Sequence, residues 1–320
     1  MKPTTQLKLS FREDNTLKIV QFTDIHWKNT EEADLRSRAL MEQVLQAEKP
    51  DLVVFTGDVI YTGGVRPGAE PCRDPLASLG EAVAVVEQSQ TPWALVFGNH
   101  DSENGVTREE LADAIGDHKY SLFEQGPADI SGVGNYVIQV TDGEGAVKAA
   151  LYFLDSGCGS PVPHVKGYDW IRRDQIAWYE QQSRQLTANH GVPLPSLAFF
   201  HIPLPEYQDI WEQGVCYGQK FEDVCCARVN SGLFAAMVEM GDVMGTFVGH
   251  DHVNDYWGEM HGIRLCYGRA TGYNTYGREG FPRGARVIRM YAGERRFDTW
   301  LRLDDGSVVM EQPKQEAELK

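Results

Sequence analysis

The segment Leu17-Lys-Ile-Val-Gln-Phe-Thr-Asp-Ile-His26 joins a short apolar run to a carboxylate and an imidazole. Leu17–Phe22 is short, apolar and partly β-branched, which predicts a buried strand. Asp24 and His26 stand two residues apart, so in an extended segment both side chains point to the same side. The segment therefore predicts a strand that presents two polar side chains just beyond its carboxyl end.

The chain repeats this strand pattern and places helices between the copies. Further buried strands are predicted at Leu52–Thr56, Trp93–Phe97, Leu151–Leu154, Leu197–Phe200 and Val243–Val248. Helices are predicted at Thr30–Ala47 with Asn29 or Thr30 as cap, at Ala77–Gln88, after a capping box at Thr107–Glu110, and at Arg173–Leu186. Alternating strands and helices imply crossover connections, hence an α/β fold whose sheet is largely parallel at the start.

The pattern changes after about residue 262. Short turns join three further strands, which favours antiparallel edges or a second sheet; these strands are Ile263–Tyr267, Arg286–Tyr291 and Phe297–Leu303. Long surface loops are predicted at Gly63–Pro75 and Ser156–Gly167, and a frayed polar tail at Gln312–Lys320. We expect one domain over residues 1–320, with its core at about 17–292 and a C-terminal strand and polar tail at 293–320.

The composition indicates an acidic globular protein. The net charge is −16, whereas nucleic-acid binders carry a basic face, so we expect no nucleic-acid binding. No apolar run is long enough to cross a bilayer and no secretory signal is visible. We therefore expect a cytoplasmic protein, or a secreted one if a signal peptide has been removed. The six cysteines include no Cys-x-x-Cys pair, which favours reduced, buried thiols over disulfides or a zinc ribbon.

Five polar motifs follow predicted strands and together indicate a metal site. In order they are Asp24-Ile25-His26, Gly57-Asp58, Gly98-Asn99-His100-Asp101, His201 and Gly249-His250-Asp251-His252. Ligands gather at the carboxyl ends of strands in open α/β sheets, and carboxylate, imidazole and amide groups suit manganese, iron or zinc ions. Asp58 can bridge two cations, and the glycines before Asp58, Asn99 and His250 allow close approach of the backbone.

Each motif alone has a plainer interpretation. An Asp-x-His pair occurs in many loops, Gly-Asp is ordinary turn chemistry, and Gly-Asn-His-Asp fits a turn with a left-handed asparagine. His201 alone would be a hydrogen-bonded histidine at a strand end. All five motifs in this order favour a metal site over five unrelated turns.

The ordered motifs resemble the calcineurin-like metallophosphoesterases, whose pattern is D-x-H, G-D, G-N-H-[DE], H and G-H-x-H. Gly167-Tyr-Asp-Trp-Ile171 and Phe199-Phe-His-Ile-Pro-Leu-Pro-Glu-Tyr207 are similar to segments of the single-domain phosphatases related to purple acid phosphatases. The similarity extends over about residues 17–292. It implies a four-layer α-β-β-α sandwich of two mixed sheets flanked by helices.

The resemblance also implies two divalent transition-metal ions per chain, manganese, iron or zinc. The first would be held by Asp24, His26, Asp58 and His252, and the second by Asp58, Asn99, His201 and His250. Tyr61 matches the iron-binding tyrosine of coloured purple acid phosphatases, which lack a histidine at the position of His26. Because one coordination position of a metal takes one side chain, His26 and Tyr61 cannot both fill it. We expect His26 to bind and Tyr61 to pack near the strand end.

His100 would face the substrate without binding metal. On this hypothesis a hydroxide that bridges two metals, about 3.5–4 Å apart, attacks phosphorus, and His100 protonates the departing alkoxide as general acid. Asp101 either orients the His100 imidazole or serves as a turn residue. His164 either touches substrate or is solvated, and Arg269 either binds phosphate or forms a surface ion pair.

The predicted function is hydrolysis of phosphate monoesters. Small-molecule phosphoesters are the expected substrates, with phosphoproteins left open. A phosphodiesterase acting on cyclic nucleotides or lipid headgroups would use the same core. A non-catalytic metal-binding scaffold would be marked by loss of a ligand or of His100, and the sequence retains them all.

Overall fold

The computed structural model describes residues 7–63, 70–116 and 118–316. Within those ranges the chain forms two mixed β-sheets flanked by helices. The strands are β1 (Leu9–Ser10), β2 (Thr16–Phe22), β3 (Leu52–Thr56), β4 (Trp93–Val96), β5 (Tyr136–Thr141), β6 (Val147–Phe153), β7 (Ser196–Phe199), β8 (Val215–Tyr217), β9 (Val243–Val248), β10 (Trp257–Met260), β11 (Ile263–Tyr267), β12 (Gly284–Tyr291), β13 (Phe297–Leu303), β14 (Val308–Val309) and β15 (Lys314–Glu316). The helices are α1 (Glu32–Glu48), α2 (Pro75–Ser89), α3 (Arg108–Ile115), α4 (Arg173–His190), α5 (Glu206–Gln213) and α6 (Leu233–Met240).

The smaller sheet has the strand order β14-β13-β12-β2-β3-β4 in the described ranges. Its strands β2, β3 and β4 are parallel neighbours joined by α1 and α2, as the alternating pattern predicted. The late strands β12 and β13 extend it as an antiparallel pair beside β2. The predicted parallel start and antiparallel continuation are therefore confirmed for this sheet.

The larger sheet has the order β1-β5-β6-β7-β9-β11-β10-β8-β15 in the same ranges. Its centre is parallel, since β6, β7, β9 and β11 follow one direction. The predicted strand Ile263–Tyr267 is thus an interior strand with a parallel neighbour on one side and the antiparallel β10 on the other.

Apolar side chains divide the fold into four layers. In β2, Val20 and Phe22 pack toward α1, α2 and α3, whereas Leu17 and Ile19 face the other sheet. A separate apolar cluster joins α4, α5 and α6 to the outer face of the larger sheet. Each fully buried large apolar side chain stabilises the fold by about 1.5–3 kcal/mol. This arrangement confirms the predicted α-β-β-α sandwich.

A buried arginine links the two sheets inside this core. Arg286, on β12 of the smaller sheet, is fully buried. Its guanidinium donates 2.5 Å hydrogen bonds to the carbonyl oxygen of Tyr267, on β11 of the larger sheet, and to that of Asp255. Through these bonds Arg286 ties strand β12 to β11 and to the segment that follows the Gly249–His252 motif.

The helix cap predicted at Asn29 or Thr30 is wrong. Glu31 is the N-cap of α1 and forms a reciprocal capping box with Asp34. The Thr30 hydroxyl instead donates to Glu81 Oε2 at 2.7 Å, and Asn29 Oδ1 accepts a hydrogen bond from a backbone amide before α2. These side chains tie α1 to α2, which the local sequence pattern did not show.

The polar tail predicted at Gln312–Lys320 is partly wrong. Lys314–Glu316 forms β15 and pairs antiparallel with β8, although its side chains are exposed. An edge strand is held by backbone hydrogen bonds, which polar residues make as well as apolar ones. Residues 317–320 lie outside the described residues, as do residues 64–69 of the predicted loop Gly63–Pro75.

All six cysteines are free thiols in this structure. Cys72, Cys216 and Cys266 are buried, but the other three are half-buried. Among the described residues, no helix has both the length and the apolar character needed to span a membrane.

Candidate metal centre

The five motifs meet at one edge of the sandwich. Asp24, Asp58 and Asn99 follow β2, β3 and β4 of the smaller sheet, while His201 and His250 follow β7 and β9 of the larger one. Both sheets thus contribute side chains from the carboxyl ends of parallel strands, as the sequence predicted.

Four of the predicted metal ligands have a left-handed backbone. The φ angles are 55° at Asp24, 53° at His26, 50° at Asp58 and 77° at His250. Non-glycine residues adopt this region rarely, and such strain persists only where the surroundings enforce it. Backbone hydrogen bonds from His26 N to Asp58 O (2.9 Å) and from Asp24 N to Gly57 O (3.1 Å) hold the first two motifs together. Sequence patterns did not predict this backbone strain.

The glycines of the motifs allow the strand ends to touch. A Cβ atom on Gly98 would lie 2.2 Å from Asp58 Oδ1, and one on Gly249 would lie 2.0 Å from Thr23 Oγ1. Any side chain at these positions would push the motifs apart. The glycines therefore let the strand ends pack directly against one another.

Asp24, His26, Asp58 and His252 form the first ligand group. One ligand atom of each lies within 4.8 Å of the others. His252 Nε2 lies 3.3 Å from Asp24 Oδ1, and His26 Nε2 lies 3.5 Å from Asp58 Oδ2. Thr275 Oγ1 lies 2.5 Å from His252 Nδ1, which leaves Nε2 of that ring turned toward the group.

The second group centres on His201. Its Nε2 lies 3.2 Å from His250 Nδ1, 3.2 Å from Asn99 Oδ1 and 3.3 Å from Asp58 Oδ2. Its Nδ1 lies 2.7 Å from the carbonyl oxygen of Thr56, so Nδ1 carries the donor proton. Nε2 consequently faces two oxygens and another imidazole nitrogen, an arrangement that a proton or a metal cation on this nitrogen's side would satisfy.

Asp58 joins the two groups through one oxygen. Its Oδ1 accepts a 2.8 Å hydrogen bond from the backbone of His100. Its Oδ2 is buried, makes no hydrogen bond with any residue that the structure describes and lies between His26 and His201. Oδ2 is thus the oxygen of Asp58 that faces both ligand groups.

Charge and burial in this centre fit a metal site. Among the described residues, His26 Nε2 is buried without a hydrogen-bond partner, like Asp58 Oδ2. Burial alone would raise the pKa of Asp24, but the adjacent His252 lowers it to about 2. Burial lowers the pKa of His201, but the Asp58 carboxylate outweighs it and raises that pKa to about 9. The carboxylates thus stay charged and attract a positive partner, and the donor set suits divalent transition metals.

His100 lies beside this centre and is held by a carboxylate that the sequence analysis missed. His100 Nδ1 lies 2.7 Å from Glu103 Oε2, and the His100 ring centroid is 5.2 Å from that of His26. Burial lowers the pKa of His100, but the Asp58 and Glu103 carboxylates raise it above its usual value. Glu103 is three residues beyond His100 in a helical turn, a spacing that could have indicated this pairing.

The hypothesis that Asp101 orients His100 is wrong. The Asp101 carboxylate accepts hydrogen bonds from the backbone amides of Asp58 (3.0 Å), Ile60 (2.9 Å) and Gly98 (2.7 Å). It is almost fully buried, and burial with the nearby Asp58 charge raises its pKa to about 6. Asp101 therefore takes the alternative role of a turn residue, because it fastens the loop after β3 to the loop after β4.

Three tyrosine rings pack against the predicted ligands. Tyr61 lies near His26, with centroids 5.7 Å apart, and near His100 at 5.2 Å. The Tyr276 ring centroid is 4.3 Å from that of His252. Tyr168 stands perpendicular to His250 with centroids 4.4 Å apart, and burial raises the pKa of Tyr168 to about 12. Of these three, the sequence analysis singled out Tyr61 alone, although Tyr168 lies in the quoted segment Gly167–Ile171.

Two weaker candidates take the plainer of their roles. Arg269 is buried and pairs with the Asp255 carboxylate, so it forms an ion pair in the interior rather than at the surface. His164 is exposed in its loop, as expected of a solvated histidine.

Comparison with known proteins agrees with this geometry. Residues 17–254 match the family model described as calcineurin-like phosphoesterase. The chain is 36% identical to a probable inactive purple acid phosphatase 29 of Arabidopsis thaliana, over 93% of this chain and 85% of that one. It is also 36% identical to phosphatase DCR2 of Saccharomyces cerevisiae, over 93% of this chain and 55% of that one.

Solved structures share the fold at low sequence identity. A dimetal phosphatase from Danio rerio matches with a TM-score of 0.57 and 15% identity, over 92% of this chain and 99% of that one. GAP50, described as the anchor in the inner membrane complex of Plasmodium, matches with a TM-score of 0.52 and 12% identity, over 94% of this chain and 90% of that one. Two proteins of such different description share this architecture, so the fold alone does not define the activity.

Proposed function

This chain belongs to the calcineurin-like phosphoesterase family, and from that premise we propose that it hydrolyses phosphate monoesters with the help of two divalent metal ions. The observation that carries the proposal is the pair of ligand groups that share Asp58 Oδ2 beside the His100–Glu103 pair. Metal ligands and a candidate proton donor therefore lie side by side.

The residues divide into two metal positions. Asp24, His26, Asp58 and His252 would hold one ion, and Asp58, Asn99, His201 and His250 the other. Such ions supply positive charge for the phosphoryl oxygens and lower the pKa of a water molecule enough to generate a nucleophile. Manganese, iron and zinc all suit this donor set.

His100 would move the proton that the departing oxygen needs. Glu103 accepts a hydrogen bond from the Nδ1–H group and fixes the ring orientation, so Nε2 is the nitrogen available to the substrate. The Asp58 and Glu103 carboxylates raise the pKa of His100 above its usual value in spite of burial, which favours the imidazolium form that a general acid needs. A general acid of this kind accelerates a reaction by about 10²–10⁴-fold.

The test compares leaving groups in His100→Ala. An alkyl phosphate needs a proton on its leaving oxygen, whereas p-nitrophenyl phosphate departs with little need of one. We expect His100→Ala to keep its metal and to lose about 10²-fold or more in kcat on the alkyl ester, with a smaller loss on the aryl ester. Equal losses on both esters would remove the general-acid role.

A matched variant separates chemistry from metal binding. Asp58→Asn should lose metal, because the bridge position would then carry an uncharged amide.

Wild-type protein loaded with Mn²⁺ should turn over p-nitrophenyl phosphate faster than bis-p-nitrophenyl phosphate; the reverse preference would indicate a phosphodiesterase. Metal-loaded protein that hydrolyses neither ester would indicate a non-catalytic scaffold. The Arabidopsis relative is itself named a probable inactive phosphatase.

A further inference from the structure

A short hairpin between β6 and α4 places Tyr168 at the metal centre. Asp169 N donates to Cys158 O at 2.8 Å, and Gly159 forms an isolated antiparallel bridge with Tyr168. We call residues 157–169 the site hairpin. The returning limb of this hairpin carries the Tyr168 side chain.

The base of the site hairpin is firmly held. Arg172 pairs with Asp169 at 2.5 Å. Gly157 has a φ of +76°, and a Cβ atom there would lie 2.7 Å from Asp169 Cβ. The position of Tyr168 is therefore set by the hairpin backbone and does not depend on its own hydroxyl group.

Tyr168 packs on the outer side of a predicted ligand. Its ring is nearly perpendicular to that of His250, at 88° and with centroids 4.4 Å apart, while His250 Nδ1 faces His201. The Tyr168 side chain is half-buried, and its hydroxyl has no hydrogen-bond partner in the described part of the chain. By contrast, the Tyr276 hydroxyl donates to Glu222 at 2.5 Å.

We propose that the Tyr168 hydroxyl donates a hydrogen bond to a phosphoryl oxygen of the bound substrate, an inference that rests on the proposed phosphatase function. A phenol is a donor at neutral pH, and a phosphoryl group offers several charged acceptor oxygens. His100 approaches the centre from the side of His26, and Tyr168 from the side of His250. Arg269, for which the sequence leaves phosphate binding and a surface ion pair both open, pairs with Asp255 in the interior.

The experiment uses Tyr168→Phe in the metal-loaded chain. This change keeps the ring on His250 and removes only the donor. We expect inorganic phosphate, titrated by calorimetry, to bind about 10-fold more weakly, as for the loss of one hydrogen bond to a charged group. We expect kcat/KM to fall about 10-fold on aryl and alkyl monoesters alike, because the bond goes to the phosphoryl group and not to the leaving oxygen.

Tyr217→Phe is the matched control. Tyr217 is also half-buried and ring-packed, but it stacks on Trp257 with centroids 4.4 Å apart. The phosphate affinity and the kcat/KM of Tyr217→Phe should equal those of the wild type. Metal content and melting temperature should be the same in all three proteins.

Three results would overturn the inference. One is an unchanged phosphate affinity in Tyr168→Phe, and another is a loss confined to the alkyl ester. The third is loss of metal, which would mean that Tyr168 only positions His250. A wild type that binds phosphate without turnover would overturn the proposed function alone, because the phosphate affinity of Tyr168→Phe still decides the inference. A wild type that binds no phosphate would overturn both.

Discussion

Replacing Asp101 by asparagine should weaken the frame of the metal centre and leave the proton-transfer step intact. The carboxylate accepts three backbone hydrogen bonds, two at Oδ2 from Asp58 and Gly98 and one at Oδ1 from Ile60. An asparagine has a single acceptor oxygen. Placed at the Oδ2 position, that oxygen keeps two of the bonds and turns an NH₂ group toward the Ile60 amide.

The cost follows from this geometry. An unsatisfied buried donor costs about 1–3 kcal/mol, and bonds to a neutral oxygen are roughly half as strong as bonds to a carboxylate. In metal-free Asp101→Asn the unpaired Ile60 amide lowers the free energy of unfolding by about 1–3 kcal/mol. Loss of the buried charge acts in the opposite sense above the raised pKa of Asp101, about 6, so the deficit relative to the wild type should be larger at about pH 5 than at about pH 8. Metal affinity should fall, because Asp101 fixes the backbone of Asp58 and of Gly98 beside Asn99.

The assay is urea unfolding of metal-free protein at about pH 5 and about pH 8, on either side of the raised pKa of Asp101. Metal titration and kinetics on aryl and alkyl phosphates follow. Once loaded with metal, Asp101→Asn should show the same relative loss on both esters. Glu103→Gln is the matched variant and should behave oppositely, with normal stability and a larger loss on the alkyl ester. A stable, metal-loaded Asp101→Asn whose deficit is confined to the alkyl ester would refute this reasoning and restore Asp101 as the partner of His100.

Four further outcomes are expected. Protein reconstituted with Mn²⁺ or Zn²⁺ should retain close to two ions per chain by elemental analysis, and a value that stays at zero would contradict the two-ion proposal. Tyr61→Phe should leave the visible spectrum of the oxidised, iron-loaded protein unchanged, since His26 is the expected ligand; loss of a visible band would show the opposite. Arg286→Met should lower the free energy of unfolding by about 3 kcal/mol or more in urea, because two buried carbonyl groups lose a charged donor. Burial alone would raise the pKa of Glu48, but Arg302 outweighs burial and lowers it. Ionised Glu48 therefore stabilises the fold above its unfolded pKa, and this stabilisation is lost as the pH falls through its folded pKa. Between about pH 6 and pH 3.5 the melting temperature of Glu48→Gln should consequently fall less than that of the wild type.

The strand ends could be predicted because their signals are local. A buried strand needs a short apolar run, and a ligand directly after it is visible in the same few residues, as in Leu17–His26. The parallel order of β2, β3 and β4 followed from the helices between them. The edge strand Lys314–Glu316 carried no such signal, because only its backbone pairs.

The roles of individual carboxylates could not be predicted in this way. Asp101 and Glu103 lie within three residues of His100, and either could have reached its imidazole. The choice depends on the helical turn that begins at His100 and on three backbone amides brought together by separate strands. Tyr168 was missed for the same reason, since a hairpin in another part of the chain carries it to His250.

The metal centre takes its residues from both sheets, and this has a consequence for the order of events in folding. His250 N donates to Asp24 across 226 residues of sequence, and both residues belong to the first or second ligand group. During synthesis, Asp24 emerges long before the histidines that complete its position. Contacts of such sequence separation form late, because the intervening chain must first be ordered. We therefore expect metal uptake to follow the joining of the two sheets, because a chain interrupted before His250 would present Asp24 without His252.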